Sequence, residues 1–183
     1  MRVAKFEKVS FDQYKEDYMN TRVNIKDNFL YTDDWHDDTV KYIKNIYNNI
    51  KLPQRATMGS AGYDFYAPYY IEIKPYSYVT IPTGIRCRID DEIFLALFPR
   101  SGQGFKTGVR LSNSTGIIDN DYYYSDNEGH IFVKLVNDSV LSKTLEIKQG
   151  EAFCQGIFIP FGVTYNDNAT DIRNGGFGST TKS

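Results

Sequence analysis

The sequence predicts a mainly β protein, a sandwich or jelly roll, with an N-terminal helical extension. Three observations predict it. From about residue 50 onward, apolar residues alternate with polar ones over short runs, the period of a strand with one buried face. Gly, Pro and Asp clusters break these runs at close intervals, which suits many short strands joined by turns. Aromatic residues make up 15% of the chain, 15 of them tyrosines, and aromatic rings fit pleated surfaces.

The first 50 or so residues read as helical. Ser10 with Gln13 forms a capping-box pattern, and Val9 and Tyr14 are spaced for a hydrophobic staple. Phe11, Tyr14 and Tyr18 then share one helical face. A second helix is predicted from about Asp34 to Asn49. Thr39, Ile43, Ile46 and Ile50 recur at helical spacing, acidic residues lie at its start, and Pro53 closes it. These helices carry no chemistry and are expected to pack against the rest or support an oligomer.

The strands follow. In "YIEIKPYSYVTIPTGIRCRID" the apolar positions are Ile71 and Ile73, then Val79 and Ile81, then Ile85, Cys87 and Ile89. Turn signals at Lys74-Pro75, Pro82-Thr83-Gly84 and Asp90-Asp91 separate them. "HIFVKLVND" and "CQGIFIPF" supply further strands. From Tyr165 the composition turns polar and glycine-rich, as in a mobile tail. The expected organisation is residues 1–49 as extension, 50–165 as β core and 166–183 as tail.

The totals exclude some functions. With 183 residues, one core plus an appendage is the natural size. A net charge of -2 argues against an electrostatic grip on nucleic acid or on an acidic membrane. "MRVAKFEKVS" has no apolar signal-peptide run, and runs such as "IFLALF" are too short to span a bilayer. A soluble cytoplasmic protein is expected. Cys87 and Cys154 sit in apolar strand patterns and read as buried free thiols; with His36 and His130 they form no zinc spacing.

Five stretches interrupt the β pattern with residues a core does not need. In "AGYDFYA", Asp64 stands in an apolar run, as an ion-pair partner or as a metal-site carboxylate. In "PRSGQGFKTG", Arg100, Ser101 and Gly102 offer a guanidinium, a hydroxyl and open backbone N–H groups, a cradle for an oxyanion or simply a tight turn. In "NSTGIIDNDYYYSDNEGHI", Asp119 follows Ile117 and Ile118 at a turn signal. In "GEAFCQG", Gln155 is polar within an apolar strand, and "RNGGFGST" places one aromatic ring among glycines. There is no Ser-His-Asp arrangement, dinucleotide fingerprint or HExxH.

Taken in order, "GSAGYDFYAP", "PRSGQGFKTGVRLSN", "GIIDNDYYY", "GEAFCQ" and "RNGGFGST" closely resemble the five motifs of the trimeric dUTPase family over roughly residues 50–180, in particular the dUTPases of Gram-positive bacteria and their phages. The resemblance implies a jelly-roll-like dUTPase fold and a homotrimer with active sites shared between subunits. It implies Mg²⁺-dependent cleavage of dUTP to dUMP and pyrophosphate.

It also implies roles. Asp119 would be the general base that activates the attacking water. Asp64 would hold Mg²⁺ through waters. Arg100, Ser101, Gly102 and Gln155 would hold the phosphate chain. Asn113, Gly116, Ile117 and Ile118 would read uracil from a narrow hairpin that excludes thymine. The Tyr122 ring would pack on deoxyribose and exclude a 2′-hydroxyl. The tail would close as a lid: Arg173 on the γ-phosphate, Phe177 on uracil, Gly178 with its neighbouring glycines offering N–H groups, and Ser179 and Thr180 offering hydroxyls.

The chain departs from the common family pattern in four places. "YYSDNEG" at 123–129 lengthens the hairpin, Ala152 replaces a basic residue, Arg173 stands one residue nearer the double glycine, and Thr181 replaces a glycine. Two alternatives of this resemblance are a dCTP deaminase of the same fold, expected to carry a glutamate in its catalytic hairpin, and a phage-type regulator that binds a repressor protein.

Overall fold

A computed structural model of the chain describes residues 2–23, 37–100, 108–138 and 143–171. It opens not with a helix but with strand β1 (Ala4–Lys8), which runs antiparallel to β6 (Ile85–Ile89) with Phe6 opposite Cys87. The short "AKFEK" alternation, a strand pattern, outweighs its helical flank because Phe6 gains an aromatic setting. Its ring lies 5.4 Å from Tyr63, 5.6 Å from Phe65 and 5.6 Å from Phe158.

Helices α1 (Phe11–Val23) and α2 (Asp37–Asn48) follow. The Ser10 hydroxyl accepts from the Gln13 N–H at 3.1 Å, which is the Ser10 half of the predicted capping box; the Ser10 N–H goes to Glu128 and the Gln13 side-chain amide to Asp17 instead of to each other. The predicted α2 residues Asp34 to His36 lie outside the described part. Tyr14 and Tyr18 from α1 and Ile43 and Ile46 from α2 are buried, in one cluster with Ile81, Ile85 and Leu135 of the sheets. The Lys8 ammonium donates to the carbonyls of Tyr47 (2.9 Å) and Asn48 (3.2 Å) at the C-terminal end of α2. Burial lowers the Lys8 pKa from its ordinary value.

The remaining strands are β2 (Gln54–Arg55), β3 (Tyr63–Tyr66), β4 (Ile71–Ile73), β5 (Ser77–Pro82), β7 (Ile93–Pro99), β8 (Val109–Leu111), β9 (Gly116–Ile118), β10 (Phe132–Asn137), β11 (Leu145–Ile147) and β12 (Ala152–Pro160). All described pairings are antiparallel. The largest sheet has the order β2-β3-β12-β7-β9, and the smaller sheets are β5-β10-β8, β11-β4 and β1-β6. The alternating residues named from sequence point inward: Ile71, Ile73, Val79, Ile81, Ile85, Cys87 and Ile89 are all buried. Asn137 is fully buried among them, and its amide donates to the carbonyls of Ile73 (2.8 Å) and Lys143 (2.9 Å), linking β10 to β4. Among the described residues no helix is long and apolar enough to cross a membrane.

Candidate functional site

Two groups of the predicted residues are built by the large sheet. The first lies where β3, β12 and β7 run side by side. Gln155 stands opposite Asp64 on one neighbour and opposite Phe98 on the other, so these side chains share one face. The chain leaves β7 at Pro99, and Arg100 turns back. Its Nε lies 3.1 Å from the Asp64 carboxylate and its Nη1 donates to the Ala152 carbonyl at 3.3 Å. Gln155 Nε2 donates to the Pro99 carbonyl at 3.2 Å. Glycine at 62 makes room for that amide, since a Cβ there would stand 2.6 Å from Gln155 Oε1. The Asp64 side chain is 16% exposed and that of Arg100 is 41% exposed, so the pair sits at the edge of solvent, open to an anion.

The second group lies on β9 and the turn after it. β8 pairs with β10 and β9 pairs with β7, so residues 112–115 carry the chain from one sheet to the other. The expected narrow hairpin is therefore not two paired strands but a tight crossing. Asn113 is exposed at its bend, and Ser114 adopts φ 62°. Gly116 is buried against Leu97, and a Cβ at 116 would meet the Leu97 Cβ at 3.2 Å. Ile117, on the opposite side, is 53% exposed. As the last strand of its sheet, β9 leaves one backbone edge for a ligand among the described residues.

Asp119 follows with extended backbone (φ -77°, ψ 160°) at the start of a 3₁₀ turn, Asn120–Tyr124. Its carbonyl accepts from the Tyr122 N–H at 3.3 Å. Tyr122 is 5% exposed; its hydroxyl donates to the His130 carbonyl at 2.8 Å and accepts from Asn127 Nδ2 at 2.9 Å. The stretch 123–129 folds back on Tyr122 as a series of turns rather than extending a hairpin.

The two groups are not adjacent. Ile118 stands opposite Leu95, which puts Asp119 level with Phe94. The Asp64–Gln155 row, which holds the Arg100 guanidinium, stands level with Phe98, four residues further along β7 (roughly 13 Å at strand spacing) and two to three strands across. Ser101 and Gly102 of the phosphate cradle, and Arg173, Phe177, Gly178, Ser179 and Thr180 of the predicted lid, lie outside the described residues.

Both cysteines are buried and unpaired, as expected. Burial pushes both thiols well above their ordinary pKa, with the nearby Asp64 charge adding to the effect on Cys154. They are inert as nucleophiles. Among the described residues no cluster of three or more His, Cys, Asp or Glu side chains could cage a metal ion.

Sequence reasoning missed what surrounds the Asp119 turn. The Glu7 carboxylate accepts from the Tyr123 hydroxyl at 2.6 Å, the Ser10 N–H donates to Glu128 at 2.7 Å, and Asp17 meets His130 Nδ1 at 2.6 Å. No local pattern could have found partners more than a hundred residues apart.

The family model described as dUTPase matches residues 48–181. The deoxyuridine 5'-triphosphate nucleotidohydrolase of Lactococcus lactis is 40% identical over 134 residues, covering 72% of this chain and 88% of that protein. The crystal structure of dUTPase from Streptococcus mutans superposes with a TM-score of 0.58 at 39% identity, over 64% of this chain and 90% of that one. A dUTPase from phage phi11 of S. aureus, described with a structural Mg(II) ion, shares the fold at 20% identity with a TM-score of 0.56, over 67% of this chain and 92% of that one. On these matches and on the sheet order that carries the motifs, the chain belongs to the dUTPase family.

Proposed function

We propose that the protein hydrolyses dUTP to dUMP and pyrophosphate, with each active site assembled from more than one subunit of a homotrimer. The observation that carries the assembly is the separation just described. Asp119 lies roughly 13 Å along β7 and two to three strands across from the Asp64–Arg100–Gln155 cluster, too far for both to touch one nucleotide's reacting phosphates. A second subunit that brings its own Asp119 turn to the Asp64–Arg100–Gln155 cluster resolves this.

In the assembled site, Asp119 accepts a proton from a water aligned with the α-phosphorus. The water oxygen bonds to that phosphorus as its bond to the bridging oxygen breaks, and pyrophosphate leaves. Arg100, Ser101, Gly102 and Gln155 hold the phosphate chain. Phosphate arriving beside Arg100 competes with Asp64 for the guanidinium, and the freed Asp64 carboxylate is the group that would hold Mg²⁺ through waters. A single carboxylate suits Mg²⁺, which keeps waters in its shell, and the ion would supply neutralisation of phosphate charge there. Asn113 and the β9 edge match the uracil edge, and the Tyr122 ring closes the 2′ position of the sugar. Arg173, Phe177, Gly178, Ser179 and Thr180 close over the bound nucleotide.

The test is pyrophosphate release from dUTP with and without Mg²⁺, by wild type and by Asp119→Asn. Release is expected from wild type with Mg²⁺ and not from the variant. Ammonia released from dCTP, with no pyrophosphate from dUTP, would overturn the reading in favour of a deaminase.

A further inference from the structure

The N-terminal extension grips one segment of the core, the turns that follow Asp119. Three of its polar groups reach that segment. Glu7 on β1 accepts from Tyr123 at 2.6 Å, the Ser10 N–H at the start of α1 donates to Glu128 at 2.7 Å, and Asp17 on α1 binds His130 at 2.6 Å. The core adds a fourth hold through β6. The Arg86 guanidinium lies 3.7 Å above the Tyr123 ring and donates to the Tyr123 carbonyl at 2.8 Å.

The innermost tie is fixed in both directions. His130 is fully buried. The Gly84 N–H donates to His130 Nε2 at 2.7 Å, so that nitrogen carries no proton and Nδ1–H donates to Asp17. Asp17 is itself held by Gln13 Nε2 at 2.9 Å. The Tyr14 and Phe132 rings pack on the imidazole at 6.0 and 4.6 Å. From His130 the path to the proposed reacting groups is short. Its carbonyl accepts from the Tyr122 hydroxyl at 2.8 Å, and the Tyr122 N–H donates to the Asp119 carbonyl at 3.3 Å.

We propose that the extension is a positioning element: Asp17, through His130, and Glu7, through Tyr123, set where Asp119 and the Tyr122 ring stand, and so set both turnover and discrimination against a 2′-hydroxyl. The inference rests on the proposed roles of Asp119 and Tyr122. A packing appendage would need only the apolar contacts of Tyr14, Tyr18, Ile43 and Ile46. Three separate hydrogen bonds onto residues 123, 128 and 130 go beyond that need and fix an irregular segment that has no sheet ladder of its own.

The test uses full-length protein with Asp17→Ala, Asp17→Asn and Tyr123→Phe. Thermal unfolding is followed alongside kcat and KM for dUTP and for UTP. Asp17→Ala is expected to lower kcat for dUTP by about ten-fold or more with a smaller change in KM, and to narrow the preference for dUTP over UTP. Asp17→Asn, whose carbonyl still accepts from His130, is expected to recover most of the loss. Tyr123→Phe removes a more exposed tie, and it answers the question by the same readouts if Asp17→Ala fails to fold.

Folded variants with wild-type kcat and wild-type dUTP/UTP preference would overturn the proposal. So would activity that falls only in proportion to the folded fraction. If wild type releases pyrophosphate and Asp119→Asn does not, such a result sinks the positioning role alone. If wild type releases none, the functional reading fails and the positioning role fails with it.

Discussion

Replacing Gly129 with alanine should damage the proposed site more than the fold. Gly129 has φ 70°, a conformation that costs an alanine about 1–2 kcal/mol. A Cβ there would lie 2.7 Å from the Tyr122 carbonyl oxygen and 2.7 Å from the Tyr123 Cα. Both are backbone atoms and cannot swing aside. Carbon atoms rest about 3.5 Å apart or more, so the Tyr122–Tyr123 backbone must retreat by about 0.8 Å or the 129 turn must open. Strain of this kind adds about 1–2 kcal/mol, for a total of about 2–4 kcal/mol. For a chain of this size that is a fall in melting temperature of about 5–15 °C. The same displacement, one turn from Asp119, is of the order that costs about a hundred-fold in rate. Thermal unfolding and pyrophosphate release from dUTP, measured on the same preparation, give both numbers. Gly162→Ala is the control, because a Cβ there meets nothing within 4 Å. A Gly129→Ala protein with the melting temperature and turnover of wild type would refute the reasoning. A destabilised variant with full turnover would refute the link between this turn and catalysis.

Other outcomes follow from the same structure. Asn137→Ala should cost about 1–3 kcal/mol in denaturant unfolding, because it takes the Asn137 amide donor from the buried Ile73 carbonyl and the part-buried Lys143 carbonyl. The Glu7 carboxyl is held below its ordinary pKa of 4.5 by its hydrogen bonds from Lys5 and then Tyr123. Its contribution is therefore present above pH 4.5 and is lost as pH falls through the lower folded value. Glu7→Gln should thus be less stable than wild type near neutrality, and the gap should close on acidification; a gap that stays constant with pH would count against it. Deleting residues 173–183 should leave the melting temperature unchanged, because "RNGGFGSTTKS" has one large apolar side chain to bury, yet severely reduce turnover. Near-normal kcat in the truncated protein would deny those residues a lid's role.

The sequence by itself determined the elements whose signal is local. Alternation at Ile71 to Ile89 identified three strands, because a side chain two positions along a strand returns to the same face. Ser10 and Gln13 located the start of α1, because a cap is a contact three residues long. The five motifs identified the family, because their residue types and order are written directly in the chain. Strand β1 was read as helix, because the cap and staple signals of α1 follow it directly and its partner β6 lies some eighty residues away.

Only the tertiary structure decided how the motifs stand in space. The sheet order β2-β3-β12-β7-β9 brings Asp64, Arg100 and Gln155 together and leaves Asp119 at the far end of β7. It also decided what holds the Asp119 turn. Glu7, Ser10 and Asp17 are unremarkable polar residues on a strand and a helix, and Tyr123, Glu128 and His130 belong to an irregular stretch with no period at all. Hydrogen bonds between groups more than a hundred residues apart depend on where folding brings the chain, and spacing along the sequence carries no trace of them.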